Sequence, residues 1–127
     1  LPAEEDDTYD EVVYGEVEFV YTEDGIAPLL NANEMATFNW PVLPGQRYIS
    51  KNFYVKSGQT ISMACTATPN SSVYWIGIMD KWNNVRYVEG SGVLGHEFAI
   101  SSSGDYCVLV QNRSDVNITA GGSYYFY

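Results

Sequence analysis

The sequence predicts an all-β protein: an antiparallel two-sheet β-sandwich of eight to nine strands, jelly-roll-like or Ig-like in topology. Three observations carry that expectation. Apolar residues alternate with period two along most of the chain, and no window shows the i, i+3, i+4, i+7 spacing of an amphipathic helix. Clusters of Gly, Pro, Asn and Ser interrupt the alternation about every 8–12 residues. The 127 residues are 46% apolar and include 11 tyrosines, which suits one cored domain built from residues that fit a pleated, half-buried surface.

The elements follow in order. Val13, Gly15, Val17, Phe19 and Tyr21 share one face of a first strand, with Glu16 and Glu18 opposite, and Gly25-Ile26-Ala27-Pro28 ends it. Residues 35–42 form a second strand, stopped by the turn Leu43-Pro44-Gly45. Residues 47–55 read as one uninterrupted third strand before the turn Lys56-Ser57-Gly58-Gln59. In 60–68, Ile61, Met63, Cys65 and Ala67 face one way and Ser62, Ala64, Thr66 and Thr68 the other, the pattern of a half-buried strand. After the Pro69–Ser72 loop, residues 73–80 and 85–89 flank a hairpin turn at Lys81-Trp82-Asn83-Asn84, since Asn tolerates positive φ. Gly90-Ser91-Gly92 is a further break; residues 94–100 then place Leu94, His96, Phe98 and Ile100 on one face. Residues 105–111, 116–120 and 122–127 complete the set. Gly58 and Gly104 precede strands at positions where a turn requires unusual φ.

Charge divides the chain. The first 34 residues hold eleven acids and no Lys or Arg, whereas the remainder holds five acids and six bases, so the net charge of −10 resides in the leader. The expected organisation is an acidic N-terminal extension over 1–33, with one strand that packs on the body, and a sandwich over 34–127. An acidic chain repels phosphate backbones and anionic membranes, which argues against nucleic-acid binding and membrane insertion. No apolar run reaches the roughly 18 residues of a spanning helix. Calcium in the Glu4–Asp7 run is not expected, because no glycine turns the loop as a ligand cage requires. The start at Leu1, the few lysines and the wealth of Asn, Ser, Thr and Tyr point to export, hence a secreted or cell-surface location.

Phe53-Tyr54-Val55-Lys56-Ser57-Gly58-Gln59-Thr60-Ile61-Ser62-Met63 has the form F-x-V-x-x-G-x-x-I-x-M, and Gly104–Asn112 the form G-x-Y-x-V-x-V-x-N. Between them lie Gly77-Ile78-Met79-Asp80 and Arg86-Tyr87-Val88. Over residues 47–127 this order resembles the small secreted bacterial β-sandwich domains of the pre-peptidase C-terminal type, although the acidic pair that often precedes the Phe strand is absent. The resemblance implies a non-catalytic accessory or surface module and no catalytic residues.

Cys65, Trp75 and Cys107 occur in the order seen in immunoglobulin domains, but Tyr106 and Cys107 are adjacent and so point to opposite faces. With Tyr106, Val108 and Val110 inward, Cys107 lies outside while Cys65 points in with Ile61 and Met63. Both cysteines are therefore expected unpaired, unless a β-bulge reverses the parity.

No enzyme is expected. His96 is the sole histidine, it alternates with Leu94 and Phe98 as a sandwich-edge residue would, and His96, Cys107 and Arg113 lie too close together in sequence for a sortase-like set. Asp80, Asn83 and Asn84 read as turn chemistry before a cation site. The Asn-x-Ser/Thr triplets at Asn70, Asn112 and Asn117 read as turn and strand-end chemistry. No cofactor or metal is implied. The sharper expectation concerns Trp75, Gly77 and Met79 beside Cys107, Leu109 and Gln111, which together would form an apolar outer face. Three uses present themselves: cover by the strand 12–21, contact with a second copy (a homodimer through Trp75 and Leu109) or another protein, and sugar stacking on Trp75 or Trp82. Trp40, before Pro41, is a further aromatic candidate. The expected function is thus a module for protein contact or an accessory structural role, with a carbohydrate-binding module and an Ig-like adhesion domain as alternatives, and binding residues Trp75, Met79, Trp82 and Leu109.

Overall fold

The alternation expected over 60–68 is realised in a nine-residue strand whose Ile61, Met63, Cys65 and Ala67 are buried to within 2% of full burial, with Ala64, Thr66 and Thr68 exposed opposite. This computed structural model describes residues 8–11, 18–21 and 31–127, the first two stretches by their backbone. The strands are β1 (Thr8–Glu11), β2 (Glu18–Tyr21), β3 (Ala36–Val42), β4 (Gln46–Ile49), β5 (Phe53–Val55), β6 (Thr60–Thr68), β7 (Tyr74–Asp80), β8 (Asn84–Gly90), β9 (Val93–Ala99), β10 (Gly104–Asn112) and β11 (Ile118–Phe126). They form two packed sheets. The larger runs β1-β8-β7-β10-β4-β2 with β5 also on β10, and the smaller runs β3-β11-β6-β9. Pairing is antiparallel throughout except for β2, which runs parallel to β4.

The sandwich is as the sequence predicts, with nine strands from 36 onward; the leader adds two strands, β1 and β2, where one was expected. The core lies between the sheets. Ile76, Ile78, Val108 and Val110 of the larger sheet meet Phe38, Trp40, Val42, Ile61, Met63 and Phe98 of the smaller. Trp40 is 1% exposed, a packing residue 4.3 Å from the Phe38 ring. Two inward polar side chains tie the sheets together. Tyr74 Oη lies 3.0 Å from the Cys65 carbonyl and 2.8 Å from that of Gly92, sharing one proton between them. Arg86 Nη1 donates to the Ala99 carbonyl.

Three local expectations are corrected. Residues 47–55 are two strands, because the register against β10 shifts by one between Ile49↔Leu109 and Tyr106↔Phe53. Ser50 holds that bulge: its amide donates to the Val108 carbonyl and its Oγ accepts from the Val108 amide. The extra residue inverts side-chain parity, so Arg47 and Ile49 face away from the inter-sheet core while Phe53 and Val55 enter it. Residues 116–120 and 122–127 belong to a single strand, β11, which runs through Gly121 and Gly122. A Cβ on Gly122 would sit 2.0 Å from the Ala64 carbonyl oxygen, so the glycine is there for close backbone approach and not for a turn. Gly58 does adopt positive φ, at 93°, as does Asn83 at 66° in the β7–β8 hairpin; Gly104 does not.

Candidate functional site

On β7 the burial pattern is unbroken from Tyr74 to Met79, which a strand with one wet face does not show. The side chains that point away from the inter-sheet core form a grid set by cross-strand register: Glu89, Trp75, Gln111 and Arg47 in one row, Tyr87, Gly77, Leu109 and Ile49 in the next, then Val85, Met79 and Cys107. Their direction is the one the sequence parity gives. Their accessibility is not, since Trp75 is 6%, Met79 5% and Leu109 0% exposed. Ile49, Met79, Val85, Cys107 and Leu109, with Tyr87 against them, make a second apolar cluster separate from the inter-sheet core.

Polar groups fill the upper row. Arg47 is fully buried and donates from Nε to Gln111 Oε1 at 2.6 Å. Trp75 stacks on Tyr87 with centroids 3.7 Å apart and donates from Nε1 to Glu89 Oε1 at 2.8 Å. The Arg113 and Arg47 guanidinium carbons stand 4.9 and 6.0 Å from its ring. A sugar platform needs an open aromatic face, and Trp75 has none to offer. Burial likewise leaves the Trp75/Leu109 face little area for a homodimer.

Both cysteines are free and lie in different clusters, Cys65 between the sheets and Cys107 on the opposite side of the larger one. Burial pushes each thiol up to about 12; at Cys107 the Arg47 charge pulls the other way and Asp80 adds to the rise. A thiol held neutral in this way is no nucleophile at neutral pH. His96 lies on the edge strand β9 with its ring edge-on to Phe98 at 4.7 Å.

Trp82 is the sequence-named residue that stands in solvent, 70% exposed at the β7–β8 tip with Lys81 Nζ 4.9 Å from its ring. Asp80 builds the tip beneath it. Its Oδ1 accepts from the Trp82 and Asn84 amides at 2.8 and 2.9 Å and its Oδ2 from Asn84 Nδ2 at 3.1 Å. Both carboxylate oxygens thus serve the turn. No group of three or more potential metal ligands occurs among the described residues.

The opposite end of the sandwich carries a feature that the sequence reading passed over. Asn112 is fully buried where β10 ends, and its Nδ2 donates to the Val42 and Val116 carbonyls at 2.9 and 2.7 Å. Its Oδ1 accepts from the Ser114 amide and hydroxyl, and its carbonyl accepts from the Gly45 amide. The next amide, of Arg113, donates to the Val73 carbonyl. One strand end therefore braces three loops, and those loops present Leu43, Val73 and Val116 at 46%, 39% and 44% exposure. The Asn-Arg-Ser triplet and the closing Asn of the Gly104–Asn112 motif were the sequence signals, and they name the residue without its role.

No protein-family model matches the chain, and no curated protein matches it. Solved structures do. Aeromonas hydrophila PliG, a periplasmic lysozyme inhibitor of g-type lysozyme, aligns at TM-score 0.51 and 13% identity over 88% of this chain and 98% of its own. The pre-peptidase C-terminal domain of collagenase from Bacillus anthracis aligns at TM-score 0.42 and 11% identity over 92% and 100%. The likeness to the inhibitor structure concerns the β-sandwich fold.

Proposed function

We propose that this chain is a non-catalytic protein-contact module of an extracellular or periplasmic compartment, and that it meets its partner with the loop end braced by Asn112. The observation that carries this is the exposure of Leu43, Val73 and Val116 on loops held by a fully buried side chain. Apolar side chains on pre-ordered loops lose little conformational entropy when a partner covers them. The compartment and the protein-contact role draw support from a fold shared with a periplasmic inhibitor of another protein. The acidic leader suits a basic partner, whose approach it would accelerate at low salt.

The test is binding of the full chain, by calorimetry, to a panel of secreted basic proteins that includes a g-type lysozyme. At least one partner is expected to lose tenfold or more in affinity with Leu43→Asp or Val116→Asp while the melting temperature holds. Binding that neither substitution changes would place the contact elsewhere and refute the assignment. A second reading, glycan recognition, rests on Trp82 and its 70% exposure. A glycan-array signal abolished by Trp82→Ala would favour it, and a silent array would remove it.

A further inference from the structure

The two edges of the smaller sheet are finished differently. Tyr127 and Thr60 exchange both of their amide–carbonyl bonds, so odd-numbered residues of β11 bond to β6 and even-numbered ones to β3. The residues of β3 that turn their backbone groups to the sheet edge are then Thr37, Asn39 and Pro41, and the proline offers no amide there. At the other edge the Ala67 amide donates to the Gly92 carbonyl and the Ile100 amide to the Gln59 carbonyl. Even-numbered residues of β9 therefore bond to β6, and Val93, Gly95, Glu97 and Ala99 turn their amides and carbonyls outward. Arg86 Nη1 occupies the Ala99 carbonyl. From Val93 to Glu97 the edge is open: β9 ends the sheet among the described residues, Val93 is 74% exposed, and Gly95 and Glu97 are exposed beside it. No proline, lysine or bulge guards this stretch, the devices that usually keep an edge from pairing.

We propose that the open edge of β9 is a strand-addition site, and that its occupant is an extended, basic segment of a partner protein running antiparallel to residues 93–97. Backbone donors and acceptors recur there at every second residue, about 7 Å apart, an interval that an extended backbone matches. Charge selects the partner. β9 holds Glu97 and no Lys or Arg, and the chain carries −10 overall, so a second copy would bring a second Glu97 and a second −10 to the same seam. Glu97 Oε1 accepts from the Tyr127 hydroxyl, which holds the carboxylate on the outer face of the sheet, where a Lys or Arg of the incoming strand stands across from it. On the inner face the half-buried Leu94 and His96 line the rim of the core, so apolar residues belong at the alternate positions of the incoming strand. The inference goes beyond the loop-end contact and does not rest on it.

The probe is the blocked heptapeptide Thr-Val-Lys-Val-Thr-Val-Thr, which in antiparallel register sets its Lys across from Glu97 and its Val residues inward. Titrated to millimolar concentration into the isotope-labelled full chain, it is expected to shift the Val93, Gly95 and Glu97 amides and to slow their exchange with solvent. Gly95→Pro removes an outward amide and is expected to weaken binding about tenfold or more. Gly95→Ala keeps the amide, its Cβ stands 3.7 Å from the nearest neighbour, and it is expected to change binding less than about threefold. No shift at these three amides, or binding indifferent to Gly95→Pro, overturns the proposal. If Gly95→Pro does not fold, the peptide N-methylated at its Lys and at the Thr that follows the second Val decides from the other side: loss of binding sustains strand addition, and binding equal to the parent's refutes it. A peptide with Glu in place of Lys is expected to bind at least about threefold more weakly, and equal binding overturns the choice of a basic partner. Protection of the Val93, Gly95 and Glu97 amides in the chain alone that vanishes on dilution also overturns the proposal, because it assigns the edge to a second copy.

Discussion

The two faces of the larger sheet are built from alternate residues of the same strands, yet they are different materials. The inner face packs Ile76, Ile78, Val108 and Val110 of β7 and β10 on a second sheet, with Tyr74 and Asn112 hydrogen-bonded at one end. The outer face mixes Leu109, Met79 and Cys107 with Arg47, Gln111 and a Trp75–Tyr87 stack, and it too is dry. Hydrogen bonds from Arg47 to Gln111 and from Trp75 to Glu89 are what make polar groups tolerable there, because a buried donor without an acceptor is costly. The lesson is that period-two alternation reports which side a residue takes, while a dry outer side depends on what lies over it.

The sharpest way to break this comparison is truncation on both faces. Ile78→Ala and Leu109→Ala are each expected to cost about 2–5 kcal/mol in urea unfolding, the range for fully buried large-to-small changes. A loss below about 0.5 kcal/mol for Leu109→Ala alone would make the outer face surface after all. Gly77→Ala probes the same face from the backbone. Its Cβ would stand 2.4 Å from the Arg86 carbonyl oxygen and 3.0 Å from Tyr87 Cβ. The expected cost is about 1–3 kcal/mol, against a near-neutral Gly95→Ala, whose nearest neighbour is 3.7 Å away.

Asn112→Ala removes the amide's bonds to the Val42 and Val116 carbonyls and the acceptor of the Ser114 amide, and is expected to cost about 1–3 kcal/mol, with faster amide exchange at Gly45 and Ser114. The thiols give a pH signature common to both faces. Each has a folded-state value of about 12, raised above the ordinary 9.0 by burial. Burial of the neutral thiols therefore contributes fully below pH 9 and is lost as pH climbs toward 12, where the unfolded chain has released protons that the folded one keeps. Unfolding midpoints are expected to be level to about pH 9 and to fall beyond it, less steeply in Cys107→Ala. Trp82→Ala, at an exposed tip, is expected to move stability by less than about 0.5 kcal/mol.

Much of the fold was legible because it is local. The strands at 36–42, 60–68, 74–80 and 104–112 follow the alternation, and the turns at Gly45, Gly58 and Asn83 take the positive φ their residue types favour. The opposite directions of Cys65 and Cys107 are where parity puts them. The split of 47–55 was not legible. A bulge held by Ser50 against Val108 is a pairing between residues 58 apart, and nothing in 47–55 alone marks it. Nor was the fusion of 116–120 with 122–127, since paired glycines look like a break until a neighbouring backbone needs the room. Of the residues named for binding, Trp75, Met79 and Leu109 lie on the side that parity gives them and are buried there, and Trp82 stands in water. The residues 12–17, expected to belong to a covering strand, lie outside the described residues.

The sequence by itself determined the sandwich, most of its strands and the side of the sheet each residue takes, because a side chain's direction in a strand follows from its position relative to its neighbours. Tertiary structure decided that the outer grid is dry, that Asn112 braces one end and that a bulge turns Phe53 inward. Those are outcomes of contacts between distant segments, and alternation within one segment carries no record of what packs against it.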